Sequence, residues 1–256
     1  MARQKLGQHF LIKGAVLERI AAAACPVREP LVVEIGPGKG ALTERLLARA
    51  DQVVAIELDP YLADQLRRKF PERLQVVQAD VLETDLKQWG RGVVAGNLPY
   101  YISTAILSRA LRPGSLLERG VFLVQKEVAD RVTASPGSRS YGYLSVESQL
   151  YAEVRQLFDV RPSAFHPPPK VDSALVGFRL HCRAGELGID SPEDFLQFVR
   201  TCFRQKRKTI RNNLASSFSG EAIGGLPEAS LRAEQIPIER FAAMWKLLKA
   251  SCRSGR

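Results

Sequence analysis

The chain has 256 residues, 45% hydrophobic and 25% charged, the balance of a soluble globular protein with enough length for a sizeable core; no apolar run is long enough to span a bilayer. Four cysteines (25, 182, 202, 252) and three histidines (9, 166, 181) are scattered without C-x-x-C or metal-ligand spacing, so neither a disulfide framework nor a metal site is suggested, and a cytoplasmic, metal-free protein is expected. The net charge of +10 and pI of about 9.7 attract polyanions if the basic residues cluster, through release of counterions from phosphates.

Residues 1–13 form a polar, basic arm ending in Phe10-Leu11-Ile12, with no apolar signal-peptide core. Val16 to Ala24 read as a helix, closed by Cys25-Pro26. Strands and helices then alternate. Strands are expected at Leu31 to Ile35, Val53 to Glu57, Leu74 to Ala79, Val93 to Ala95 and Val121 to Val124. Helices are expected at Ala41 to Ala50, Tyr61 to Phe70, Thr104 to Leu111 and Glu127 to Thr133. This βαβα alternation implies a mainly parallel sheet covered on both faces. Ser135 to Gly142 is a Gly/Ser-rich loop. Arg155 to Val160 and Ser173 to Leu180 read as two more strands joined by the Pro-rich turn Phe165 to Lys170, most simply an edge hairpin. Beyond Cys182 to Asp190 only helical signals remain, among them the apolar face Phe195, Phe198, Val199, Cys202 and Phe203. The expected division is 1–184 for the sheet domain and 185–256 for a small all-helical domain.

Three segments carry chemistry. Glu34-Ile35-Gly36-Pro37-Gly38-Lys39-Gly40 closes the first strand and opens a helix. Its glycines permit positive φ and let a ligand approach the backbone. It is not a P-loop, since Gly40-Ala41 follows Lys39, and its third glycine comes one place early for G-x-G-x-x-G. Glu57 ends the second strand about 20 residues on, where such folds place a ribose-binding acid. Asp80 ends the third, where it can accept from an adenine amine. Asn97-Leu98-Pro99-Tyr100 then follows a short buried strand. It offers a side-chain amide oxygen, a carbonyl aimed outward by the extended pre-proline backbone and a flat ring. Two acceptors and a stacking face suit a planar group with an exocyclic amine, such as adenine. A plain turn is the alternative reading of those four residues.

With these segments in place, the chain resembles the rRNA adenine dimethyltransferase family, within the class I S-adenosylmethionine (SAM) methyltransferases. The resemblance covers nearly the whole chain. It runs through Lys5-Leu6-Gly7-Gln8-His9-Phe10-Leu11, Glu34 to Gly40, Asn97 to Tyr100, Gln125 to Val128, Tyr141-Gly142, Phe165 to Ala174 (FHPPPKVDSA) and Phe203 to Leu214 (FRQKRKTIRNNL). It implies a Rossmann-like α/β SAM-binding sheet with seven strands, followed by a helical domain that helps grip RNA. By that resemblance Gly36 and Gly38 lie against SAM, Glu57 holds its ribose and Asp80 its adenine amine. His9 and Leu11 close over the methionine end, and Asn97 is shared between cofactor and catalysis. The family often has Asn in place of His9. Asn97, Leu98, Pro99 and Tyr100 would hold the target base, with Phe165 as the opposite wall. The implied reaction is methyl transfer to N6 of two adjacent adenosines in the 3′-terminal hairpin of 16S rRNA, in the small subunit or its precursor. No general base is visible. Two methyls per adenosine follow from the resemblance alone.

Arg200, Arg204, Lys206, Arg207, Lys208 and Arg211 crowd one stretch without acidic partners at i±4, interleaved with Phe203 and Ile210. With Arg139 they form the expected RNA-binding surface, extended by Lys5, Lys13 and Lys126. A solvated helix face is the plain alternative. A monomer with no membrane or metal partner is expected. Rival functions are an Erm-type 23S rRNA methyltransferase, which shares the adenine pocket, a non-catalytic assembly or transcription factor on the same fold, and a DNA adenine methyltransferase.

Overall fold

The computed structural model describes residues 9–112 and 117–254; Lys5 and the rest of the arm before His9 lie outside them. The strands are β1 (Phe10–Leu11), β2 (Glu29–Ile35), β3 (Ala50–Glu57), β4 (Leu74–Gln78), β5 (Gly92–Asn97), β6 (Leu117–Gln125), β7 (Ala152–Val160), β8 (Phe165–His166) and β9 (Ser173–Leu180). The helices are α1 (Gly14–Ala24), α2 (Ala41–Leu47), α3 (Pro60–Lys69), α4 (Ser103–Leu111), α5 (Lys126–Val132), α6 (Tyr143–Tyr151), α7 (Pro192–Cys202), α8 (Ile210–Leu214), α9 (Gly220–Gly224) and α10 (Ile238–Ser254).

Seven strands form one sheet in the order β4-β3-β2-β5-β6-β9-β7. The first five run parallel, and β9 is antiparallel to β6. β2 lies centrally because Leu31, Val32, Val33 and Ile35 are apolar on both faces, and all four are buried. On one face Leu17, Ile20 and Ala21 of α1 and Leu42, Leu46 and Leu47 of α2 join Val32, Val53, Val93 and Val121 in a continuous apolar cluster. Asp59 caps α3 by accepting from Tyr61 and Leu62 N–H, with Pro60 at the first turn. As the hairpin reading expects, β7 and β9 are neighbours, with β7 at the edge.

The order reverses at β2. The chain moves outward through β3 and β4, then returns to place β5 on the other side of β2. Parallel sheets bind ligands in the crevice at such a switch point, beyond the carboxyl ends of the strands. Ile35, Glu57, Gln78 and Asn97 end their strands on this edge.

The chain gathers into two compact units. One comprises residues 1–129 and 154–180, the other 130–153 and 181–256. The contiguous division at 184/185 differs from this because 130–153 joins the C-terminal residues. Leu150 O accepts from Arg183 N–H, Tyr151 O from His181 N–H, and Glu234 O from Gly137 N–H. The second unit is helical apart from the start of β7. Phe195, Phe198, Val199 and Cys202 form the buried face of α7 as expected, and Phe198 lies 5.6 Å from Trp245 of α10, ring centre to ring centre. Helix α6 has no counterpart in the sequence reading.

Among the described residues, no helix is long and apolar enough to cross a membrane.

Candidate functional site: a cavity at the carboxyl ends of the parallel strands

A cavity of about 380 Å³ opens at the switch point. The turn after β2 forms one wall. Gly36, Gly38 and Gly40 have φ of 66°, 57° and 77°, so every second residue is left-handed, and a Cβ on Gly38 would stand 3.2 Å from the Phe10 ring. The loop therefore runs with its backbone close to both the arm and the cavity.

Glu57, at the end of β3, lines the same space and is only 4% exposed. Its two oxygens accept from Gly38 N–H and Asp59 N–H, each at 3.0 Å. Burial raises its pKa, and the bonds from Asp59 and Gly38 oppose that rise. The carboxylate thus fixes the glycine turn while facing the cavity with lone pairs to spare. Asp80 follows β4. Its carboxylate accepts from Leu82 N–H at 2.8 Å, and its carbonyl accepts from the Thr84 hydroxyl at 2.7 Å, so the acid sits at the head of a tight turn. Arg109 of α4 donates to Thr84 O at 2.5 Å and braces that turn from outside.

Asn97 ends β5, directly beside the end of β2. Its amide nitrogen donates to the His9 carbonyl at 3.1 Å. A carbonyl only accepts, so this bond sets which way the amide faces and leaves Oδ1 without a partner among the described residues. Leu98 N–H donates to Leu123 O at 3.0 Å, and its side chain is buried, which anchors the strand end. The Leu98 carbonyl accepts from none of the described groups. Pro99 begins a turn closed by Ile102 N–H to Pro99 O at 3.2 Å. Tyr100 is half-buried. Its hydroxyl shares a 2.7 Å hydrogen bond with the buried Ser173, and burial raises its pKa against the opposing effect of that bond.

The arm meets this site through His9. Its ring lies 5.5 Å from the Tyr100 ring, and its Nδ1 lies 2.7 Å from the Pro167 carbonyl and so carries the proton. β1 and β8 pair antiparallel, Phe10 with His166 and Leu11 with Phe165. Successive residues of a strand face opposite sides. Leu11 is buried, and Phe165 is 3% exposed in the apolar cluster, while His166 lines the cavity. Phe165 does not itself line this cavity, whereas Leu11, its partner across the β1–β8 pair, does.

The structure brings His9, Leu11, Gly36, Gly38, Glu57, Asp80, Asn97, Leu98, Pro99 and Tyr100 to one cavity. It adds Ile12, Glu34, Leu58, Tyr101 and His166. Glu34 is 1% exposed with one carboxylate oxygen unpartnered. Burial pushes its pKa up to about 8; the nearby Thr43 hydroxyl, outside hydrogen-bond geometry to any described group, offsets this only in part, and the Glu57 charge adds to it. The aromatic pair Tyr100-Tyr101 was visible in the sequence as a signal for a second ring. Ile12 ends the arm and His166 lies in the FHPPPKVDSA segment, but the sequence assigns neither a role at the site.

The basic cluster lies in the second unit. Arg200 ends α7 with its guanidinium 4.8 Å from the centre of the Tyr143 ring. Arg204, Lys206, Arg207 and Lys208 stand exposed in the loop before α8, and Arg211 is exposed in α8. The stretch is a loop flanked by helices and not one helix face, so the i±4 test does not apply to it. Ile210 is fully buried as expected, while Phe203 is partly buried against Phe241 at 5.7 Å between ring centres. Lys206 donates to Arg139 O at 2.5 Å and lies 3.9 Å from Glu234, which ties the Arg139 loop to the cluster. Asn213 of α8, 5% exposed, accepts from Gln205 N–H at 3.0 Å and donates to Gln205 O and Lys208 O. This one buried amide braces the loop from beneath, a role the sequence reading did not assign.

The model of the family "Ribosomal RNA adenine dimethylase" matches residues 1–249. A protein of Acidobacterium capsulatum named ribosomal RNA small subunit methyltransferase A is 46% identical, with 96% of this chain and 91% of that protein covered. Its namesake in Bordetella avium is 41% identical over 98% of this chain and 96% of that one. Among solved structures, a dimethyladenosine transferase from Plasmodium falciparum superposes with a TM-score of 0.77 at 26% identity, covering 96% of this chain and 98% of the other. The 23S rRNA methyltransferase ErmE superposes at 0.72 with 27% identity, covering 94% and 99%.

Proposed function

The chain belongs to the ribosomal RNA adenine dimethylase family, and on that premise we propose that it methylates N6 of two adjacent adenosines in the 3′-terminal hairpin loop of 16S rRNA, with S-adenosyl-L-methionine as methyl donor. The observation that carries this reading is the pair of acceptors at the tip of β5. Asn97 Oδ1, turned by the His9 carbonyl, and the Leu98 carbonyl have no partner among the described residues, and both residues line one cavity.

The cavity fits the donor. Left-handed glycines bring backbone to its wall, and two strand-ending acids, Glu57 and Asp80, can accept from ribose hydroxyls and an adenine amine. Gly36 and Gly38 would lie along the donor, and His9 and Leu11 would cover it from the arm. When bound, the donor supplies a methyl carbon made electrophilic by its sulfonium.

The chain's own residues prepare the acceptor. The exocyclic nitrogen of adenine is a poor nucleophile because its lone pair is delocalised into the ring. Accepting its two N–H bonds at Asn97 Oδ1 and Leu98 O orients the amine and favours a pyramidal nitrogen. One positioned partner of this kind contributes roughly 10²–10³ in rate at other enzymes. The target base must leave its stack to enter, and the Tyr100 ring, held by Ser173 and flanked by His9, is the face it stacks on. Phe165 then acts through β8, which carries His166 to the cavity. The exposed basic loop of the second unit with Arg139, Arg200 and Arg211 supplies phosphate contacts. The enzyme works as a monomer in the cytoplasm, on the small subunit or its precursor.

The names of the relatives at 41–46% identity favour the small subunit over the Erm-type reading, whose solved example is 27% identical. Unmethylated small subunits, incubated with the protein and labelled donor, should yield dimethyladenosine in the 3′-terminal fragment by mass spectrometry. Label in large-subunit RNA instead, or no transfer at all, would overturn the proposal.

A further inference from the structure

We propose that Tyr101 forms a second stacking subsite, at the rim of the cavity, for the nucleobase that flanks the extruded adenosine. The inference rests on the function proposed above and adds a substrate-positioning residue to it.

Tyr100 and Tyr101 are consecutive yet differ in every physical respect. The turn closed by Ile102 N–H to Pro99 O sends them in different directions. Tyr100 is half-buried, with its hydroxyl tied to Ser173. Tyr101 is 60% exposed, has no hydrogen-bond partner among the described residues and lines the same cavity. Nothing in the fold requires an aromatic ring there. A side chain this exposed, with no polar partner among the described residues, contributes little to stability.

The occupant follows from continuity. A nucleotide drawn out of its strand brings its neighbours to the rim, because one backbone joins them. An exposed ring beside that entry offers a π face to whichever base comes next, and such stacking tolerates any sequence. Two other exposed apolar side chains line the cavity, Ile12 at 60% and Leu58 at 49%, and either can pack on a base edge. The net charge of +10 suits a polyanionic strand at this rim better than an apolar protein anchor.

The test is a split of KM from kcat on unmethylated small subunits. Tyr101→Ala should raise KM about tenfold, near the low end of one base–aromatic stack, with a smaller change in kcat and unaltered donor affinity. Tyr101→Phe keeps the ring and loses only the hydroxyl, so it should restore the wild-type KM. A wild-type KM in Tyr101→Ala, or a Phe variant as weak as the Ala variant, would overturn the subsite while leaving the proposed function intact. Absence of transfer by the wild-type chain would instead defeat the proposed function, and this inference with it.

Discussion

The Asn97 amide nitrogen donates to the His9 carbonyl at 3.1 Å, so the arm determines which end of the amide faces the cavity. The contact uses the backbone of residue 9, and it is therefore indifferent to His standing where the family often has Asn. Removing the acceptor by Asn97→Ala should lower turnover by roughly 10²–10³ or more, while the donor still binds. Asn97→Asp should be as inactive, because a carboxylate oxygen would face the His9 carbonyl with no proton between them. Methyl transfer to small subunits and calorimetry of donor binding separate these effects. Near-normal turnover in Asn97→Ala removes the acceptor role.

The proposed function gives Glu57 a second task beside the one its hydrogen bonds show. It accepts from Gly38 and Asp59 N–H, which shapes the glycine turn, and it faces the cavity where a ribose would lie. Each hydrogen bond to a charged group contributes roughly 1.5–3 kcal/mol. Glu57→Ala should therefore weaken donor affinity by roughly 10- to 150-fold per lost ribose bond. Glu57→Gln should also weaken it, since its NH₂ would oppose one of the two backbone donors. Unchanged affinity by calorimetry in the Ala variant would break the ribose assignment.

Much of the sheet was readable because its strands are apolar runs cut by glycine, proline or acid. Ser173 to Leu180 is matched end to end, while Val53 to Glu57 is the later part of a strand that starts at Ala50, which was expected in the helix before it. Helix α6 was invisible for the opposite reason. Leu144, Ser145, Val146, Glu147, Ser148, Leu150 and Tyr151 are all buried, so polar and apolar residues share the interior and no stripe of period 3.6 appears. The β1–β8 pairing joins two dipeptides far apart in the chain, too short to leave a pattern. The strand-end residues of the site were legible because parallel-sheet chemistry collects at one edge. The arrival of His166 at the cavity was not, since a two-residue strand leaves no periodicity to show which side chain reaches it.

Glu34 predicts a pH dependence with a definite sign. Burial raises its pKa from the ordinary 4.5 to about 8 in the folded chain. Between those values the folded state holds a proton that the unfolded state has released, so stability falls as pH rises across that window and levels off above it. Full expression of the shift amounts to roughly 3–5 kcal/mol. Glu57, also raised by burial, adds in the same direction. Glu34→Gln should flatten the fall, leaving the variant more stable than wild type near pH 9 and little changed near pH 5. Urea melts across this range test it, and a wild-type slope in the Gln variant rejects the assignment.

The basic loop before α8 predicts a salt response. Arg204, Arg207, Lys208 and Arg211 are exposed and have no ion-pair partner among the described residues, whereas Lys206 is shared with Glu234 and the Arg139 carbonyl. Each phosphate neutralised adds about −0.7 to −0.9 to the slope of log affinity against log salt. Replacing Arg204, Arg207 and Lys208 together by Gln should shallow that slope by roughly 2 to 3 if all three touch phosphate. Asn213→Ala tests the brace and not the charge. Three hydrogen bonds to the backbone of Gln205 and Lys208 vanish, each worth roughly 0.5–1.5 kcal/mol at such a part-buried place. That variant should lose RNA affinity while donor affinity stays, because Asn213 belongs to the second unit and the donor cavity to the first. Affinities measured from low to moderate salt decide both points: a flat wild-type response removes the phosphate grip, and undiminished RNA binding in a folded Asn213→Ala variant removes the brace.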